Sequence, residues 1–100
     1  MSMFQTGVVA LDSKNPVETR SGNTSTFTQV TFPAAFPEGS SVIVVPFVQT
    51  FNGSDTPGLR IAEVTTTGFK IRINELHAVG KVTSDGTHTT ETIGWIASTV

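Results

Sequence analysis

Apolar and polar positions alternate along most of this chain. Between 69 and 74, Phe69, Ile71 and Ile73 interleave with Lys70, Arg72 and Asn74, the period of two that marks a half-buried strand. The same pattern predicts strands near 4–11, 26–32, 41–50, 59–66, 69–77 and 91–99, separated by turn-rich stretches such as "DSKNPVETRSGN", "PAAFPEGS", "NGSDTPG" and "TSDGTH". No segment of helical length carries a 3.6-residue apolar repeat. Thr67-Gly68 is expected to close a tight hairpin between 59–66 and 69–77. Six antiparallel strands in residues 1–100 make a single all-β domain, a six-stranded antiparallel β-sandwich. Phe69, Ile71, Ile73 and Trp95 should supply its core. They are joined by Phe27 or by Phe32, and the register that turns Val30 and Phe32 inward is preferred because it pairs a β-branched residue with an aromatic on one face.

Two stretches break the alternation. In "SVIVVPFVQ", Val42, Val44 and Val48 line one face while Ile43, Val45 and Phe47 line the other. Both faces call for burial, yet a two-layer sandwich has one interior. Covering loops would satisfy the second face, and so would a partner subunit, the preferred reading. Pro46 suits an edge strand or a bulge. The second break is Glu75-Leu76-His77, where charge turns inward and apolar bulk outward. There the strand either runs out into a loop or delivers side chains to a rim site.

Composition narrows the chemistry. The formal net charge is −2, with no basic stripe to hold a phosphate backbone, so nucleic acid is not an expected partner. The absence of cysteine removes disulfides, thiolate catalysis and cysteine-type zinc sites. No stretch reaches transmembrane length, and "MSMFQTGVVALDSKN" lacks the features of a secretory signal. The expected location is therefore cytoplasmic, virion-associated or released without a classical signal. The sequons at Asn23 and Asn52 read as turn residues.

Catalysis finds little support. His88 and Glu91 form an H-x-x-E spacing, but a strand puts them on opposite faces and no second histidine completes a metal set. There is no nucleophile elbow, calcium-loop spacing or phosphate-cradling glycine motif. The chain is expected to be a non-enzyme without cofactor or metal. Arg60 is more suggestive. A tight Thr67-Gly68 turn sets it across from Asn74, with His77 just beyond at the same end of the sheet. These three form either a polar pocket or a solvated strand end.

Four short motifs, in order, span nearly the whole domain: "QTG" (5–7), "VTF" followed by "AF" (30–36), "LR…V…TGFK" (59–70) and "GWIA" (94–97). In these the chain resembles the H-type lectins, the family of snail agglutinins and of the discoidin C-terminal domain. The resemblance implies a six-stranded antiparallel sandwich assembled as a homotrimer, or as stacked trimers forming a hexamer. It also implies binding of N-acetylgalactosamine or galactose at subunit interfaces. The family's sugar-contacting arginine falls on Arg60, and its Trp-His pair falls on Leu76-His77, where the histidine alone matches. The family's early-loop aspartate falls in the region of Asn23 and Arg20. A neighbouring subunit's tyrosine has no counterpart, since the chain has no Tyr. The long stretch from His77 to Trp95 would bring His88 near the site. The carbohydrate-binding set so implied is Arg60 and His77, with Asn74, Asn23 and His88 as lesser members. A trimeric structural or receptor-binding tip of a phage tail-fibre-like protein is the alternative, since such proteins also end in small threonine-rich β domains.

Overall fold

Inward and outward positions separate cleanly along the strands. In β1 (Phe4–Leu11), Gln5, Gly7, Val9 and Leu11 turn towards the core while Phe4, Thr6, Val8 and Ala10 face outward. The computed structural model describes residues 3–12, 19–53, 56–76 and 89–100, with Glu75 and Leu76 described through their backbone alone. After β1 come β2 (Thr28–Thr31), β3 (Val42–Val48), β4 (Thr56–Ala62), β5 (Gly68–Leu76) and β6 (Glu91–Thr99). They form two three-stranded antiparallel sheets, ordered β1-β6-β3 and β2-β5-β4.

The inner faces of the two sheets meet as a sandwich. Phe69 of β5 stands edge-on to Trp95 of β6 with ring centroids 5.5 Å apart, and Phe32 lies 5.5 Å from the same indole. Leu11, Val30, Phe36, Val44, Ile71, Ile73, Ile93 and Ala97 complete the buried cluster. Phe69, Ile71 and Ile93 are fully enclosed, each contributing about 1.5–3 kcal/mol over an exposed side chain. Val30 and Phe32 are buried and Phe27 only partly so, which is the preferred register. Two straps reinforce the packing. The Gln5 side-chain amide donates to Ala34 O (2.6 Å) and accepts from Ala34 N (3.0 Å). The backbone after β2 donates from Phe32 N to Thr67 O (2.9 Å) and from Phe36 N to Thr66 O (2.8 Å).

The hairpin differs from the sequence expectation. β4 ends at Ala62 rather than near 66, and a five-residue loop, 63–67, replaces the tight Thr67-Gly68 turn. Arg60 therefore pairs with Arg72, and Asn74 lies opposite Gly58. The cause is local. Glu63 adopts a left-handed backbone with φ 51°, which ends the alternation although Val64 still packs on the core. The Thr65 hydroxyl then accepts from the backbone N–H groups of Thr67 (3.2 Å) and Gly68 (3.3 Å), closing the loop.

Strand β3 splits as its two apolar faces require. Val44 is buried and Val42 and Val48 pack against the core, while Ile43, Val45 and Phe47 are 54%, 42% and 60% exposed. No described loop covers them. On the outer face of this sheet the cross-strand rows read Phe4–Ser98–Ile43, Thr6–Ile96–Val45 and Val8–Gly94–Phe47. The result is an apolar surface with a notch at Gly94, where the Gln49 side chain lies close to the glycine.

Candidate functional site

Residues 19–27 lie against the outer face of the β2-β5-β4 sheet in consecutive turns. Asn23 N donates to Arg20 O (3.1 Å) around Gly22, whose φ of 81° suits a residue without Cβ. Asn23 Oδ1 accepts from Ser25 N (3.3 Å), and Phe27 N donates to Thr24 O (3.0 Å). This loop is docked rather than loose. The Thr24 hydroxyl donates to Glu63 Oε2 (2.8 Å), and the Glu63 carboxylate also receives Lys70 Nζ at 3.3 Å. The Thr24 hydrogen bond, then that of Lys70, hold the Glu63 carboxyl below its ordinary range.

Between this loop and β4 lies a cavity of about 280 Å³, lined by Thr19, Arg20, Ser21, Gly22, Asn23, Thr24, Phe27, Arg60, Ile61 and Ala62. Two members of the expected set, Arg60 and Asn23, thus come together, along with Arg20. Arg60 is exposed, and among the described residues its side chain makes no ion pair or hydrogen bond. Among the described residues that line it, none has an acidic side chain.

Asn74 belongs elsewhere. Its Oδ1 accepts from Arg72 Nε (2.9 Å), and the Arg72 guanidinium also donates to Thr26 Oγ1. Arg72 is only 4% exposed, a cation pinned beneath the 19–27 loop. Asn74 is therefore not directly across from Arg60, as the tight turn had set it, but one row further along the same face, because the longer hairpin loop shifts the pairing by two residues. His77 and His88 lie outside the described residues. Among the described residues no three potential metal-ligating side chains come together.

Sequence reasoning missed a second polar centre. Glu91, at the start of β6, is 4% exposed. Its Oε1 accepts from Thr50 Oγ1 (2.6 Å) and Asn52 N (3.1 Å), and its Oε2 from Gly53 N (2.9 Å). These bonds, that of Thr50 foremost, outweigh burial and lower its pKa below the ordinary 4.5. The only signal in the sequence was an acid opening an otherwise apolar strand. Its donors all come from residues 50–53, so this carboxylate fastens the loop that follows β3.

Chemically, the cavity offers a guanidinium fork, an amide, hydroxyls and one aromatic edge on a docked loop. That inventory suits a hydroxyl-rich or charged ligand and, among the described residues, contains no nucleophile–base pair. No protein-family model matches this chain, and a search of curated proteins finds no match.

Proposed function

We propose that the chain is a non-catalytic carbohydrate-binding protein for galactose- or N-acetylgalactosamine-type glycans, made multivalent by assembly into a trimer or stacked trimers. The observation that carries this reading is the cavity at Arg60. It joins the arginine that the H-type lectin resemblance singles out to Asn23 from the early loop, where the family also places a contact. Sugars need a few fixed donors and acceptors around a shaped hollow, and the loop's anchorage on Glu63 fixes them in advance.

Assembly rests on the other sheet. The exposed row of Ile43, Val45 and Phe47, continued by Ile96, Val8 and Phe4, is an apolar surface of the kind that marks subunit contact. Sites of millimolar affinity, about −4 kcal/mol each, then hold a glycan-coated surface through high effective concentration. A glycan array comparing the chain with Arg60→Ala tests the reading: loss of binding in an intact assembly is expected, and equal binding by both places the site elsewhere. The same apolar face favours a second reading, a trimeric structural tip of a tail-fibre-like protein, which takes over if the chain assembles but binds no glycan.

A further inference from the structure

Asn52 is the one asparagine of this chain followed by glycine; Asn15, Asn23 and Asn74 precede Pro, Thr and Glu. An Asn-Gly pair is the dipeptide most prone to modify itself, because a glycine without Cβ leaves its nitrogen free to reach the preceding side chain. The reaction needs only water. Gly53 N would lose its proton to hydroxide and bond to Asn52 Cγ, the bond from Cγ to Nδ2 would break, and ammonia would leave with a proton returned by water. Water then opens the resulting five-membered imide. Cutting its bond to Cγ gives aspartate, and cutting its bond to the main-chain carbonyl gives isoaspartate, which routes the backbone through the side chain.

The fold holds this pair in a form that cannot react. Gly53 N donates to Glu91 Oε2 (2.9 Å), and Asn52 N donates to both Glu91 oxygens (3.1 and 3.2 Å). Asn52 Nδ2 donates to Thr90 O (3.0 Å). Amide and imide nitrogens are both planar, so the new bond to Cγ must lie where the N–H bond lies now. That direction is taken by the Glu91 carboxylate. Its negative charge also opposes the amide anion through which the attack proceeds. Thr50 fixes the carboxylate in turn, its hydroxyl donating to Oε1 (2.6 Å) and accepting from Thr92 N (2.9 Å). Glycine is nevertheless demanded at 53, where a Cβ would press to 3.1 Å from Thr89 Cβ. The residue that lets the loop close on β6 is the one that makes the open loop reactive.

We infer that Asn52-Gly53 is a self-modification site gated by Glu91: imide closure is blocked while the 50–53 loop is fastened to β6 and proceeds once that loop opens. Refolding does not undo the change. An aspartate at this position turns a carboxylate oxygen, in place of the Nδ2 donor, towards Thr90 O and adds negative charge beside Glu91. Isoaspartate adds a carbon to the main chain between the two N–H groups that share the carboxylate. The modified loop therefore stays unfastened, a covalent record that it once opened.

The test incubates the full-length protein in mildly alkaline buffer, folded and in denaturing guanidinium, with peptide mapping by mass spectrometry to score aspartate and isoaspartate at position 52. The folded chain is expected to convert at least about tenfold more slowly, the weight of one charge-assisted hydrogen bond. Folded Glu91→Gln should lose most of that protection, because an amide offers one oxygen in place of two and no charge. Hydrogen exchange at the Gly53 amide of the wild type needs no variant. It should rise together with conversion across sub-denaturing guanidinium, since one opening exposes both. Asn52→Asp should speed exchange at Gly53 while Trp95 emission is unchanged. Equal conversion of folded and unfolded chains overturns the inference, as does a folded Glu91→Gln that converts at the wild-type rate. Conversion that does not follow Gly53 exchange overturns it even where the variant fails to fold. Wild-type protection of Gly53 in Asn52→Asp overturns the claim that modification unfastens the loop.

Discussion

Trp95 sits where its size is accommodated by one absence. Its cross-strand neighbour on β1 is Gly7, and a Cβ built on Gly7 would lie 2.6 Å from indole Cε2 and 2.9 Å from Nε1. Both are far inside van der Waals contact. The ring cannot simply slide away, because Phe32 and Phe69 hold it at 5.5 Å on either side and Phe69 is itself fully enclosed. Gly7→Ala is therefore an overpacking change, with a cost of about 1–3 kcal/mol. The lower backbone freedom of Ala returns about 0.5–1 kcal/mol. Since three rings must move together, the net should fall near 2 kcal/mol, a drop in Tm of roughly 8–16 °C for a domain of this size. Circular dichroism melts and urea titration measure it, and Trp95 emission reports the displaced ring directly because the chain has a single Trp. Trp95→Phe supplies the control. It loses ring area but also removes a buried indole N–H that has no hydrogen-bond partner, whose isolation costs about 1–3 kcal/mol. In the Gly7→Ala background the smaller ring makes room for the methyl group, so the two changes should couple by about 1 kcal/mol or more. A Gly7→Ala protein that melts with the wild type and keeps its emission spectrum, or a strictly additive double variant, would refute this account of the core.

Three further outcomes are expected. Glu91 has a folded-state pKa below its ordinary value, so its contribution to stability is complete above the unfolded value and disappears as pH falls through the folded one; below about pH 4.5 the wild-type Tm should fall more steeply than that of Glu91→Gln, and parallel pH profiles would remove Glu91 from the acid response. Val45→Asp should shift sedimentation towards the monomer while the melting transition survives, because Val45 faces outward and Val44 does not; an unchanged oligomer, or a wild type that is already monomeric, would take the outer face of β3 out of assembly. Thr24→Ala frees the 19–27 loop from Glu63 and should weaken ligand binding several-fold with little change in Tm, whereas an unaltered ligand affinity would show that this hydrogen bond does not organise the cavity.

The strands at the two ends of the chain, 4–11 and 91–99, were legible to the residue, because turn-rich stretches bound both β-prone runs. The hairpin was not. Glu63 falls in the parity of the apolar Leu59 and Ile61, so the alternation falters there, but the pattern does not say that Glu63 leaves the β region. That one dihedral goes with a shift of the pairing by two, which sets Arg72 instead of Asn74 opposite Arg60. The burial of Arg72 was equally invisible: its position reads as outward, which is correct for the sheet, but the covering layer comes from a loop some 46 residues away in sequence. Arg60 was legible as an arginine carried on a strand, and Asn23 only through the family resemblance. Their shared cavity with Arg20 was not, since it depends on the Thr24–Glu63 contact, a tertiary event with no local signature. The two-faced apolar character of 42–48, by contrast, was plain from composition, and the structure divides it into a buried and an exposed row as alternation demands.

Among the described residues, two sheets of three strands leave four edges, and the chain treats them unequally. β3 carries Pro46 and β4 carries Pro57, residues that offer no N–H to an incoming strand, and β2 is only four residues long. These are the devices by which natural sheets resist edge-to-edge growth. β1 has none of them: eight residues run without proline, and its outward side chains include Phe4 and Val8, both more than 70% exposed. Fibrillisation, strand exchange or capture of an extended peptide would therefore begin along β1. A lysine or proline placed on its outer edge is the substitution that would most improve the solubility of the concentrated protein.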